Sequence, residues 1–279
     1  MTAVRLGAVG YLNARPLVVG LDALPQFDLR FDLPSECARL LAAGEVDLGL
    51  VPSIEYLRDD SYQAVPDVAI ASKGPVLSVA LYTTRPVRDV RTILMDTSSR
   101  TSVALTRVLC ARLFKIAPAI DAHAPDLEAM LSRADAALVI GDKALLAQPQ
   151  LARLASAPSS TFGGPDLSSE VEKIDLGEAW SSMTGLPFVW AFWVGRAGAL
   201  RPGDVAALQA ARDAGVGRAD QVAREYFRGD PEHQELGVSY LRNNIKYYLG
   251  ADERAGLELF YRYAAEIGVV SHARPLRFY

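Results

Sequence analysis

Short apolar runs of strand length alternate with helix-periodic stretches between residues 4 and 140, and this alternation constrains the fold more than any other feature of the chain. Strands joined through helices pair in parallel and need helices on their faces, so the pattern specifies α/β layers. Residues 4–9 read as a buried strand, 16–21 as a short helix, 27–32 as a strand of alternating polarity, and 35–43 as a helix stopped by Gly44. Residues 46–51 form a third strand that ends at Pro52-Ser53, and another helix starts at Ile54. Runs at 68–71 and 76–83 are strand-like. A second set follows, with strand 92–95, a helix over 98–114, a polar helix at 126–133 and the apolar strand 136–140. Residues 148–169, rich in Pro, Gly and Ser, read as loops. The run Gly185-Leu-Pro-Phe-Val-Trp-Ala-Phe-Trp-Val-Gly195 is strand-like and aromatic.

From Pro202 the pattern changes to helices at 202–228, 231–249 and 252–267. With no fresh strand, they cannot build another α/β layer and are expected to pack back onto the first. That gives a discontinuous first lobe, 1–84 plus 196–279, and a second lobe, 85–195. Segments 84–90 and 189–196 are the expected crossings, with a cleft between the lobes. Ligands of open α/β sheets bind beyond the carboxyl ends of the strands. Here those ends carry the polar turns Gly10-Tyr-Leu-Asn13, Leu33-Pro-Ser35 and Pro52-Ser53.

The 279 residues suffice for two cores, and the balance of 50% apolar to 22% charged residues is that of a globular protein. At a net charge of −4, with no dense run of Lys or Arg, nucleic acid is not an expected partner. No apolar run approaches the roughly 18 residues of a membrane helix, and no secretory hydrophobic segment precedes Asn13 and Arg15, so no membrane contact and a cytoplasmic location are expected. Cys37 and Cys110 fall in helical patterns and read as small buried hydrophobes. His123, His233 and His272 lie far apart, and no metal site is expected.

The strand-to-helix passage Thr92-Ile-Leu-Met-Asp-Thr-Ser-Ser-Arg-Thr-Ser-Val-Ala-Leu105 gathers five hydroxyl residues, Thr97, Ser98, Ser99, Thr101 and Ser102, with Arg100. A helix start leaves N–H groups unpaired at the positive end of its dipole, a place for a carboxylate or phosphate. One hydroxyl would serve as a cap; five point to a ligand.

Leu40-Leu-Ala-Ala-Gly-Glu-Val-Asp-Leu-Gly-Leu-Val51 resembles the helix-to-strand passage of type II periplasmic-binding-protein folds. Gly10-Tyr-Leu-Asn-Ala-Arg-Pro-Leu17, Val51-Pro-Ser-Ile-Glu-Tyr-Leu57, Ser72-Lys-Gly-Pro-Val-Leu-Ser-Val79, Asp96 to Leu105 and Thr184-Gly-Leu-Pro-Phe-Val189 sharpen the likeness. Together they resemble the chorismate dehydratase family of the futalosine route to menaquinone. The resemblance implies a two-lobed fold and dehydration of chorismate to 3-[(1-carboxyvinyl)oxy]benzoate without metal or organic cofactor. A sister family, the 1,4-dihydroxy-6-naphthoate synthases, carries a histidine after the strand matching 136–140. Gly141-Asp142-Lys143 stands there instead. A solute-binding protein for a small carboxylate is the non-enzymatic alternative.

For a doubly acidic substrate, Arg100, Thr101 and Ser102 are expected at one carboxylate, with Ser53 and Ser78 near the other. Asn13 can donate and accept at once and is the first catalytic candidate. Its alternative is a cap on the helix at Pro16. Ser78, following the tight turn Gly74-Pro75, is the second catalytic candidate; Gly74 and Gly141 are expected to line the site. Tyr11 has a packing alternative, and Asp142 is either a helix cap or a cleft residue. Phe188 is expected against the ring, with Trp190 and Trp193 in the core. No histidine lies in a matched motif, so the enolpyruvyl carboxylate of the substrate is expected to take the ring proton itself. Arg274 and Arg277 have two readings, solvent or the partner chain of a homodimer.

Overall fold

A computed structural model describes residues 3–147 and 171–279. In chain order the strands are β1 (Val4–Val9), β2 (Phe27–Asp32), β3 (Leu48–Pro52), β4 (Tyr62–Ala64), β5 (Ile70–Ser72), β6 (Val79–Thr83), β7 (Thr92–Asp96), β8 (Ala119–His123), β9 (Ala136–Ile140), β10 (Glu172–Asp175) and β11 (Phe188–Arg196). The helices are α1 (Pro34–Ala43), α2 (Arg100–Leu109), α3 (Leu127–Leu131), α4 (Asp142–Leu145), α5 (Leu176–Thr184), α6 (Pro202–Gly217), α7 (Ala219–Tyr226), α8 (Pro231–Asn243) and α9 (Ala251–Glu266), with 3₁₀ turns at Leu12–Val18 and Ser53–Arg58.

One sheet runs β2-β1-β3-β11-β4, with β5 also on β11; the other runs β10-β6-β9-β7-β8. Pairing of β1 with β2 and β3, and of β7 with β8 and β9, is parallel, whereas β11 and β6 run antiparallel to their neighbours. Strands β3 and β11 are buried almost throughout, as central strands covered on both faces must be. Edge strand β2 alternates, and α1 begins with Pro34 and stops at Gly44, which takes the left-handed conformation at φ +71°. Of the C-terminal helices, α9 packs against β11 of the first sheet, α6 and α7 against the 3₁₀ turn Leu12–Val18, and α8 against α7. The expected helix over 202–228 is two helices, broken at Arg218. No helix among the described residues is long and apolar enough to cross a membrane.

The lobe boundaries need correcting. Strand β6 lies in the second sheet and β11 in the first, so the chain crosses at 73–78 and 176–187 rather than at 84–90 and 189–196. Apolar runs covered on both faces announce a buried strand but not the sheet that buries it. Asp175 ties the two crossings together. Its carboxylate accepts the amides of Val76 (3.0 Å) and Leu77 (2.6 Å) on one crossing and of Gly177 (2.9 Å) and Glu178 (3.1 Å) on the other. The strand expected over 76–83 therefore starts only at Val79, after Gly74 (φ +90°) and Leu77 (φ +62°) have turned the chain. The loops expected at 148–169 lie outside the described residues.

Candidate active site

Three strand ends of the first lobe meet two of the second around a narrow groove. From the first come Val9, Tyr11, Asn13, Pro34 and Pro52, and from the second Ser78, Ser99, Ser102, Ile140 and Gly141; Trp190 of β11 forms part of the wall. The lobes lie closed on it, leaving about 40 Å³, against roughly 300–1,000 Å³ for an ordinary ligand pocket, so they must part to admit a ligand. Ser99 caps α2, and the Ser102 hydroxyl donates to Ser99 Oγ over 3.2 Å. Of the hydroxyl cluster at the start of α2, Ser99 and Ser102 thus face the groove. No Arg or Lys among the described residues lines it.

The catalytic candidates Asn13 and Ser78 share a partner absent from the sequence reading, Tyr240 of α8. Its buried phenol donates to Ser78 Oγ over 2.6 Å and hydrogen-bonds the Asn13 side chain. Burial pushes the phenol far above its ordinary range, so it stays a donor. With an Oγ lone pair occupied by Tyr240, the Ser78 O–H is left to donate elsewhere. The Asn13 carbonyl accepts from Tyr247 over 3.0 Å, so Asn13 sits inside the 3₁₀ turn and does not cap it. Nothing local marks Tyr240 or Tyr247; they reach the groove only because α8 and the segment after it fold back.

Asp142 is neither a helix cap nor a groove-lining residue. From the second lobe it accepts the Leu12 amide at 3.2 Å and the Tyr226 hydroxyl, both of the first lobe. Burial raises its carboxyl above the usual aspartate range, against the pull of these donors and of Arg15. The folded protein therefore holds the proton more tightly than the unfolded chain. Asp142's contribution to stability is greatest at low pH and declines as pH rises through the raised folded value. Tyr226→Phe removes a cross-lobe hydrogen bond to the Asp142 carboxyl. It is expected to raise KM for the groove's ligand about tenfold, with kcat within a factor of about three, because closure and not chemistry is weakened. Equal losses in kcat and kcat/KM would place Tyr226 in the chemical step instead.

Tyr11 and Gly141 both line the groove and touch across it. A Cβ on Gly141, at φ +67°, would lie 2.7 Å from the Tyr11 ring, whose hydroxyl is 3.4 Å from Ser98 Oγ. Other expectations are corrected. Arg100 points away from the groove and pairs with Glu55 at 2.9 Å, because the helical turn that turns Ser99 and Ser102 inward carries residue 100 to the opposite face. Thr101 and Ser53 are fully buried in the seam between the lobes. The Ser53 hydroxyl donates to Val189 O (2.8 Å), and Thr101 Oγ1 accepts the Ile54 amide (3.0 Å). Gly74 is held at the crossing by Ser181, 2.8 Å from its amide. Phe188, expected against the ring, is core, packed edge-on to Trp180 and Phe260, and Trp190, expected in the core, stands in the groove wall instead, with Nε1 donating to Ser72 Oγ at 3.1 Å. Trp193 is core, as expected. Arg274 lies over the Tyr56 ring of its own chain and donates to the Asp59 carbonyl at 2.6 Å. The Arg277 amide donates to the Tyr56 hydroxyl over 2.8 Å.

Two α/β lobes joined by two crossings, with a donor-lined groove at the strand ends, define a protein of the periplasmic-binding-protein fold. Solved structures agree. Protein AF1704 from Archaeoglobus fulgidus superposes with a TM-score of 0.72 at 14% identity, covering 96% of this chain and 98% of its own. A Candida albicans protein described as having the generic periplasmic-binding-protein fold gives 0.64 at 11%, over 98% and 92% of the two chains. The chain belongs to the menaquinone biosynthesis family, whose profile matches residues 4–266. A curated relative, the chorismate dehydratase of Thermus thermophilus, is 37% identical over 257 residues, 91% of this chain and 93% of the relative.

Proposed function

We propose that the protein is a chorismate dehydratase, a hydro-lyase converting chorismate to 3-[(1-carboxyvinyl)oxy]benzoate and water, acting in the cytoplasm on the futalosine route to menaquinone. The observation that carries this reading is a groove, in a chain 37% identical to a chorismate dehydratase, that holds hydroxyl and amide donors but no histidine, lysine or arginine among the described residues. One carboxylate fits the α2 start at Ser99 and Ser102, the ring lies against Trp190, and the departing hydroxyl faces Asn13 and Ser78.

The product keeps the ether on the carbon next to the one that loses hydroxyl, so the proton leaves the ether-bearing carbon. The nearest base is the enolpyruvyl carboxylate of the substrate. Without an arginine to pair with, and shut in a groove closed to solvent, that carboxylate keeps the basicity that desolvation gives it. It takes the proton, the electron pair forms the new ring double bond, and the hydroxyl leaves with its own pair, supported by hydrogen bonds from Asn13 and Ser78. The departing hydroxyl receives that same proton from the substrate's carboxyl and leaves as water, which restores the carboxylate. Aromatisation supplies the driving force, and the protein supplies orientation and fixed donors.

Incubating the purified protein with chorismate is expected to give the aromatic enol ether, seen by ultraviolet absorbance and mass spectrometry as substrate minus water. A solute-binding protein on this fold would instead return chorismate unchanged after saturable binding, and that result would overturn the proposal.

A further inference from the structure

Strand β2 is an outer strand of the first sheet. The chain covers the opposite edge of that sheet itself: Ala64 of β4 donates its amide to the Arg277 carbonyl (2.8 Å) and accepts the Tyr279 amide (3.2 Å). No strand or tail among the described residues does the same for β2. Against β1 its even positions are the bonded ones, since the Gln26 carbonyl accepts the Val4 amide (2.8 Å) and the Asp32 carbonyl the Gly10 amide (3.0 Å). Alternate residues of a strand bond to opposite sides, so the N–H and C=O groups of Leu29 and Phe31 point outward, ready for another strand.

The side chains of β2 say which strand that is. Phe31 is 41% exposed and Leu33, just past the strand, 52%, two of the four large apolar side chains exposed among the described residues. Leu29 and Phe31 share one face, and Val18, Val19 and Val222 continue the apolar surface beside them. The other face carries Asp28 and Arg30, both exposed. Arg30 has Asp32 at 2.7 Å, whereas Asp28 forms no ion pair among the described residues; its neighbour Arg5 on β1 is held by Asp47. Charges on an edge ordinarily keep other strands away. Here their order makes them attract in one arrangement. In an antiparallel pair with the two-fold axis at Leu29, Asp28 stands opposite the partner's Arg30, and Arg30 opposite the partner's Asp28. An axis at residue 28 or 30 sets Asp28 on Asp28 or Arg30 on Arg30, which repel. An axis at Phe31 leaves Asp28 facing Pro34, where the chain turns into α1.

We propose that β2 is the interface of a homodimer, pairing antiparallel with β2 of a second copy about a two-fold axis at Leu29. The Leu29 amide and carbonyl exchange hydrogen bonds with the partner's Leu29, and the Phe31 amide reaches the partner's Phe27 carbonyl. Phe31 then packs beside the partner's Phe27 on one face, while the two Asp28–Arg30 pairs form on the other, at the non-hydrogen-bonded positions where opposite side chains come closest. The two first sheets become one continuous sheet. Because β2 belongs to the first lobe, the second lobe of each copy stays free to swing.

Sedimentation velocity of the whole protein over a concentration series tests it. One strand pair makes a small interface, so a monomer–dimer equilibrium in the micromolar range is expected. Asp28→Arg sets like charges opposite each other twice and is expected to weaken the dimer about tenfold or more, and the swap Asp28→Arg with Arg30→Asp to restore it to within about threefold. Both positions are exposed, so neither change disturbs the core. Mild oxidation of Leu29→Cys is expected to give a disulfide-linked dimer, since the two copies of that residue face each other at the axis. Phe31→Cys stands four positions from its own copy, roughly 14 Å by the rise of a strand, and is expected to stay monomeric on a denaturing gel. Cys37 and Cys110 are buried and do not compete. A monomer at every concentration overturns the proposal, as does a dimer indifferent to Asp28→Arg, a charge swap that restores nothing, or cross-linking at Phe31→Cys in preference to Leu29→Cys.

Discussion

Alanine at Asn13 or at Ser78 is expected to lower kcat for chorismate dehydration by about 10²- to 10³-fold, the scale on which one preorganised donor acts at a site of developing charge. Both side chains face the groove, and both are set by Tyr240, which donates to Ser78 Oγ at 2.6 Å and bonds the Asn13 side chain. Ser78→Ala also strands the Tyr240 phenol, buried with one acceptor fewer, so some stability should go with the activity, about 1–3 kcal/mol. The two losses can be separated. Adding Tyr240→Phe to Ser78→Ala removes the stranded hydroxyl and is expected to recover part of the melting temperature while kcat stays low. Asp142→Asn gives the opposing test. Asp142 is engaged by Leu12 and Tyr226 and does not line the groove, so its effect should fall on KM. If Asp142→Asn abolished turnover with substrate binding intact, a protein carboxylate and not the substrate's own would be the base.

Whatever depended on local pattern was legible in the sequence. Strands Val4–Val9, Phe27–Asp32 and Ala136–Ile140 occupy the residues the sequence assigns them: the first and third as short apolar runs buried on both faces, the second by its alternation, where a one-residue slip would turn the apolar set outward. The hydroxyl cluster at the start of α2 was legible as composition, but not the directions in which its members point. Ser99 and Ser102 face the groove while Arg100 and Thr101, one step away on a helix, face the seam. Composition cannot resolve that rotation, since the register of α2 is fixed by what Leu105, Val108 and Leu109 bury. Phe188 and Trp190 traded places for a different reason. Two residues apart on β11, they share a side of the strand, with ring centroids 4.5 Å apart, and which of them reaches the groove depends on how β5 and α9, distant in sequence, pack along that side. Tyr226, Tyr240 and Tyr247 were illegible altogether: each reaches the site from a segment whose own sequence says only that it is helical or lies between helices.

The same long-range folding makes Gly215→Ala the substitution with the largest expected effect on stability. Helix α6 crosses the 3₁₀ turn Leu12–Val18 so closely that a Cβ on residue 215 would lie 1.9 Å from the Pro16 carbonyl oxygen and 2.5 Å from its Cα. Both partners are backbone, so no rotamer change relieves the clash, and proline's fixed φ stiffens the turn further. Overpacking a core costs about 1–3 kcal/mol where side chains can yield; here they cannot, and about 3 kcal/mol or more is expected. For a domain of this size that lowers the melting temperature by roughly 6–12 °C. Separation of α6 from the turn must also carry Asn13, three residues before Pro16, away from Ser78, so kcat should fall beyond what stability explains. Gly217→Ala in the same helix meets nothing within 4 Å and is the control, expected to be neutral or to stabilise by up to about 1 kcal/mol through helix propensity. Thermal melts and kcat for the two variants decide it. If Gly215→Ala melted with Gly217→Ala at full activity, α6 would not be pressed on the turn, and the placement of Asn13 would need another explanation.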